Sequence, residues 1–256
     1  MKLSWTEDED SLYDGALNFA REIRSECSDS THGQPFPEKA WKRCGTFGLL
    51  GLSVPEALGG SGFTALTTAR IVEAFGRGMA DSGLLFAANA HLFACTMPAA
   101  EYGSDSVRIH VVPHLASGRW IGANAISEPG AGSDTSRLQT RAVRDGNDYV
   151  LSGEKCYVTN GPVADWFLVY AMTDPSAGYL GQSAFLVPRD TTGLIAASGY
   201  EKTGLHNAPL GAVYFDGCRV PAAMRIGDEG HGARIFPRSM GWERSHTAAA
   251  PRRRQR

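Results

Sequence analysis

Apolar positions recur every three or four residues through the first part of the chain. Further on they alternate or gather in short runs. In "EDEDSLYDGALNFAREIRSEC", Leu12, Ala16, Phe19, Ala20 and Ile23 fall on one side of a helix. Acidic residues crowd its start, where they favour the positive end of the helix dipole. "PEKAWKRCGTFGLLGL" predicts a shorter helix, with Pro37 in its first turn and Gly45 or Gly48 at its end. The breakers of "SVPEALGGSGF" predict a tight exposed turn. The stretch from Thr64 to Gly103 keeps helical spacing with little charge, so it is expected to be buried on most sides.

The period changes near Gly118. "RWIGANAISE", "TRAVRDGNDYVLSGEKCYVTNG", "WFLVYAMT", "SAFLVP" and "GAVYFDGCRVP" are short and rich in branched or aromatic residues. Asp145-Gly146 between "TRAV" and "DYVLSG" predicts a hairpin. From Met224 a helical pattern returns, with Pro237 inside it. The expected organisation is an all-α domain over 1–118, a β domain over 119–224 and the start of a helical segment over 225–256. This order makes an α+β fold and argues against alternating βα units.

Composition adds bounds. The chain has 256 residues, 43% apolar and 20% charged, enough for a proper core. A net charge of −2 announces neither a nucleic-acid nor a membrane partner, and the basic tail "PRRRQR" is read as solvated. Five scattered cysteines without a C-x-x-C pair suit a reduced, cytoplasmic protein. The acidic N-terminus is not that of a signal peptide, and no run of about eighteen apolar residues is found to span a bilayer.

Several motifs fail on inspection. Gly130-Ala131-Gly132 starts like a dinucleotide fingerprint, but Thr135 stands where the third glycine belongs and β pattern follows. His110 and His114 have the spacing of helical metal ligands, yet Pro113 lies between them and no third ligand is near. Two stretches remain. "AISEPGAGSDTSRLQT" gathers Ser127, Ser133 and Thr135 around small residues that let a ligand approach the backbone. Its successive amides could also form an anion-binding nest, and a plain glycine-rich loop is the rival reading. In "EKCYVTNG", Tyr157 and Thr159 alternate, which on one strand puts an aromatic ring and a hydroxyl on the same face. Such a face suits a flat, partly polar ring system; an ordinary barrel strand is the rival.

Together, "AISEPGAGSDTSRLQTRAVRDGNDYVLSGEKCYVTNG" resembles the middle-domain signature of the acyl-CoA dehydrogenase family. "LLGLSVPEALGGSG" upstream and "FDGCRVPAAMRIGDEGHGARI" downstream resemble its flanking parts. The resemblance implies a helical N-terminal domain, a middle β-barrel or β-sandwich, and a C-terminal four-helix bundle that is missing here. It implies FAD as cofactor, with Asn124, Ile126, Ser127, Gly132, Ser133, Tyr157, Val158 and Thr159 as its binding residues. Ser133 and Arg244 would hold the thioester, and the helix around His91–Met97 would line the acyl pocket. The reaction implied is α,β-dehydrogenation of an acyl-CoA or acyl-carrier-protein thioester. An electron-transfer flavoprotein or oxygen would accept the electrons, in a homo-oligomer or with a partner chain.

The family's base is a glutamate of the C-terminal bundle, on the order of a hundred residues that this chain does not contain. Glu128 and Glu243 match other positions, so no catalytic residue is assigned. Weak FAD binding and very low turnover are therefore expected, with a non-catalytic binding subunit as the alternative. The ending "TAAAPRRRQR" is read as a truncation, with a deliberate short form as the rival.

Overall fold

The computed structural model describes residues 4–27, 36–79 and 82–249. The basic tail lies outside them. The helical part opens with α1 (Glu7–Ile23), started by a capping box in which Thr6 and Glu9 satisfy each other's backbone. α2 (Glu38–Phe47) ends at Gly48, whose φ of 89° supplies the left-handed cap that other residues resist. α3 (Ala65–Gly78) packs along α1 within one core.

α4 (Gly83–His91), a π-helical turn (Leu92–Thr96) and α5 (Met97–Tyr102) form one continuous rod. By length and composition this rod, Gly83–Tyr102, could cross a membrane, contrary to the sequence expectation. Its apolar window is 94% buried inside the protein, so it is the central core helix. Alanines and an occasional polar residue hid it from a count of strictly apolar positions. Short helices α6 (Asp105–His110) and α7 (Val112–Ala116) lead to the β part.

Strands β1 (Gly122–Ala125), β2 (Arg141–Asp145), β3 (Asp148–Thr159), β4 (Trp166–Met172), β5 (Gln182–Pro188), β6 (Leu194–Ala196), β7 (Leu210–Pro221) and β8 (Arg225–Ile226) form one sheet. Its order is β6-β7-β3-β2-β4-β5-β8, and β1 pairs parallel to β4. The expected hairpin joins β2 to β3, with Asp145 opposite Asp148 and Gly146 at φ 62°. One cluster draws Ala125, Ala142, Leu151, Phe167, Phe185 and Val213 from most of these strands, so the sheet curls around its own core.

β4 and β5 show why some strands read as unbroken apolar runs. Phe167 and Val169 point into the β core, while Leu168 and Tyr170 point into the helical core. These strands are covered on both faces, so alternation disappears. The close approach of the two parts also explains a glycine. A Cβ on Gly122 would lie 2.7 Å from the Cys95 sulfur, so a larger residue would force β1 off the core helix.

The last element, α8 (Gly232–Ala249), lies across α3, α4 and β5 and carries Pro237 internally. Pro237 has no N–H to give the Ala233 carbonyl. The Tyr179 hydroxyl donates to that carbonyl instead, at 3.1 Å. This substitute partner is the physical reason a proline is tolerated there.

Candidate active site

A cavity of about 180 Å³ lies where β1, β3, the core helix and α8 meet. Asn124, Ile126, Ser127, Tyr157 and Thr159 form its β side. Ala90 and Ala94 form the helical wall; Phe236, Met240 and Glu243 come from α8.

The β side is built by a strand irregularity. The β3–β7 register shifts between Lys155 and Val158, and Tyr157 sits at φ 54°. The bulge re-aims the tyrosine, which is 68% exposed and packs edge-to-face on Tyr200 at 5.6 Å between ring centres. Thr159 follows on the regular strand. Tyr157 and Thr159 both line the cavity, but a bulge lies between them, so the alternation of a regular strand is not what brings them together. Val158 points the other way, into the β core, and its side chain does not line the cavity.

The segment carrying Ser127 is tied down from beneath. The Cys156 amide donates to the Ser127 carbonyl at 2.8 Å. The Lys155 ammonium donates to the Ile126 carbonyl at 2.9 Å and to Glu128 Oε1 at 2.7 Å. Glu128 also accepts from the amides of Gln139 and Thr140, at 2.6 and 2.9 Å. Burial alone would raise the Glu128 carboxyl, but the Lys155 charge and these hydrogen bonds outweigh it and hold it below the usual range. Burial drives the Lys155 ammonium down to about 8 against the pull of Glu128. Both groups are therefore ionised at neutral pH.

The helical wall has its own anchor. His91 is fully buried; its Nδ1 accepts from the Gly122 amide at 2.8 Å and its Nε2 donates to the Leu115 carbonyl at 3.0 Å. Burial pushes its pKa down to about 4, so the ring is neutral and bridges the core helix to β1. His91 faces this seam rather than the cavity. Ala90 and Ala94, on either side of it, do the lining, and the π turn sets Ala94 there.

Gly132 and Ser133 stand exposed on the loop after the Glu128–Ala131 bridge and do not line the cavity. A Cβ on Gly130 or Gly132 would meet nothing, so their neighbourhood is open. Arg244 is exposed and borders a neighbouring groove with Phe86, Thr247 and Ala248; Met240 and Glu243 are common to both hollows.

Glu243, which the sequence resemblance set aside as matching another position, belongs to this cavity. It sits half-buried in the cavity roof, with no donor or cation within hydrogen-bond distance among the described residues. Burial raises its carboxyl above the usual range, and the adjacent Arg244 only partly opposes this. A lone carboxylate with a raised pKa facing hydroxyls and an aromatic ring is the arrangement of a general base. The available sequence signal was helical spacing: Phe236, Met240 and Glu243 recur every three or four residues. His110 and His114 play no such part; His114 packs on Trp120, and among the described residues no His, Cys, Asp or Glu cluster could hold a metal.

The fold sets a helical part against a β part, with a cavity at their seam. Two family models match the chain: "Acyl-CoA dehydrogenase, N-terminal domain" over residues 6–119 and "Acyl-CoA dehydrogenase, middle domain" over 123–218. The chain belongs to the acyl-CoA dehydrogenase family. It is 48% identical over 86% of its length to an L-prolyl-[peptidyl-carrier protein] dehydrogenase of Pseudomonas fluorescens, and covers 58% of that protein. It is 36% identical over 97% of its length to the protein of that name from a Serratia strain, covering 65% of it. A solved structure, "PigA with FAD and proline", superposes with a TM-score of 0.92 at 35% identity, over 98% of this chain and 66% of that one. The chain thus spans about three-fifths of the curated relatives it matches.

Proposed function

We propose that this chain binds FAD on the surface formed by Asn124, Ile126, Ser127, Tyr157 and Thr159. There it takes part in dehydrogenating an acyl thioester, with a prolyl group on a peptidyl-carrier protein as the first substrate to try. Its own residues fit the cofactor. The Asn124 side-chain oxygen is buried without a partner, and the hydroxyls of Ser127 and Thr159 have none among the described residues. These groups, beside the exposed Tyr157 ring, suit the polar edge and flat face of a flavin. The relatives named for prolyl-carrier proteins support the substrate class.

The observation that carries the reading is Glu243 in the same cavity as Ser127 and Thr159. Bound FAD would supply the two-electron acceptor. Glu243 would take the α-proton of the thioester, and burial, which raises its pKa above the usual carboxylate value, would make it a stronger base. Ala90, Ala94, Phe236 and Met240 would exclude water from the small acyl group. Arg244 would hold the carrier arm at the adjoining groove, and Ser133 would meet it from the exposed loop. Electrons would leave to an electron-transfer flavoprotein or to oxygen. A base inside the chain removes one ground for expecting low turnover.

The test is anaerobic addition of prolyl-loaded carrier protein to the FAD-loaded chain, with proline-free carrier and an acyl-CoA as controls. Bleaching of the flavin's visible absorption by the prolyl thioester supports the reading. FAD binding without bleaching by any thioester makes the chain a binding subunit and overturns the catalytic role.

A further inference from the structure

Beneath the cavity lies an ion pair for which the reaction above has no use. Lys155 is 0% exposed and Glu128 is 6% exposed, and their Nζ and Oε1 are 2.7 Å apart. Stability does not account for it, because well-packed apolar residues often serve as well as a buried pair. What the pair does locally is hold two places in the chain. Glu128 fixes the amides of Gln139 and Thr140, where the exposed loop returns. Lys155 fixes the Ile126 carbonyl, at the point where the chain enters the cavity.

The second contact has a geometric consequence. Across a planar trans peptide the carbonyl and the next N–H point in opposite directions. There are no cis peptides among the described residues, so the Ile126 carbonyl, turned inward to Lys155, sends the Ser127 N–H the other way. Ile126 and Ser127 line the cavity and Lys155 does not. The Ser127 N–H has no acceptor among the described residues.

The structure assigns Lys155 a positioning role: its grip on the Ile126 carbonyl aims the Ser127 backbone N–H into the cavity as a hydrogen-bond donor to the flavin ring. This rests on the FAD reading above. The donor comes from the backbone, so no side-chain substitution at position 127 except proline removes it. A charged anchor suits the task because an ammonium reaches the carbonyl and the carboxylate at once with separate donors.

The test uses apo-chain and FAD. Lys155→Met combined with Glu128→Gln removes the anchor without stranding a buried charge. FAD affinity is measured by titration, and the Ser127 amide proton is followed by NMR in ¹⁵N-labelled protein. In the wild-type chain the Ser127 amide is expected to shift downfield as FAD binds. In the double variant that shift is lost and FAD binds about tenfold more weakly, the size of one good hydrogen bond. A merely structural pair predicts a lower melting midpoint with the Ser127 shift intact, and that result overturns the assignment. Should the double variant fail to fold, Ser127→Pro read against Ser127→Ala isolates the N–H with the ion pair untouched; equal FAD affinity in the two overturns it. If the wild-type chain binds no FAD, both readings fall. If it binds FAD and the variants bind equally, only this one does.

Discussion

Glu243 lines the cavity roof, Glu128 lies behind its β side, and the two have opposite surroundings. Glu128 is nearly inaccessible, yet its oxygens meet an ammonium and two amides, and its pKa falls. Glu243 is more accessible, yet no donor among the described residues reaches it, and its pKa rises. Partners, rather than depth, decide which carboxylate is locked and which can exchange a proton. One is tied into the framework of the β side, and the other stands without such ties in the cavity roof.

The sharpest way to break this contrast is to neutralise each in turn. Glu243→Gln should slow flavin reduction by prolyl-carrier protein about a thousandfold, the scale of a lost general base, and leave FAD affinity within about threefold. Stopped-flow absorbance under anaerobic conditions reads both. Glu128→Gln should lower the denaturation midpoint instead. If Glu128→Gln abolished reduction while Glu243→Gln did not, the two roles would have to be exchanged.

Removing the partner tests the framework side. Lys155→Met leaves Glu128 charged and buried, and should cost about 3–5 kcal/mol in urea unfolding. Adding Glu128→Gln should restore much of that loss, since no unpaired charge then remains. A Lys155→Met variant as stable as wild type would show that water already reaches the pair.

The pH responses should run in opposite senses. Glu128 has a lowered folded pKa, so its contribution to stability is present above the ordinary carboxylate value of 4.5 and is lost as pH falls through the folded value. Glu243 has a raised folded pKa, so ionising it costs stability as pH rises through that value, above 4.5. Its activity as a base should appear over the same rise. The rate of flavin reduction against pH is expected to climb with a midpoint above 4.5, and a flat profile in Glu243→Asp or wild type would argue against Glu243 as the proton acceptor.

How much of this could be read from residues alone follows the same division. The β side was legible because its parts are close in sequence: Ser127 and Glu128 in one loop, Tyr157 and Thr159 two apart on one strand. Even there the bulge at Tyr157 and the inward turn of Val158 were not, since both depend on pairing with β7. The helical periodicities were legible, but the length of the central rod was not, because alanines make it apolar without looking so. Glu243 was illegible for a different reason. Its environment exists only once α8 folds back over β1 and β3, more than eighty residues upstream in the case of Thr159. Nothing local to "GWERS" signals a missing partner.

The smallest expected effect concerns how firmly that roof is held. Pro237 deprives the Ala233 carbonyl of its helical donor, and the Tyr179 hydroxyl takes its place. Tyr179→Phe should therefore cost about 1 kcal/mol, the net worth of one hydrogen bond, measured by thermal or urea unfolding. In a Pro237→Ala background the cost should shrink, because the backbone N–H restored by that substitution can again donate to the same carbonyl and the two donors compete. The pair thus forms a double-mutant cycle with a coupling of the same sign and similar size. Flavin reduction should change by less than about threefold in Tyr179→Phe, since the lost bond is worth about 1 kcal/mol and neither of its partners lines the cavity. A rate loss approaching that of Glu243→Gln would mean that the placement of the base, and not only its pKa, depends on the tyrosine at the helix start.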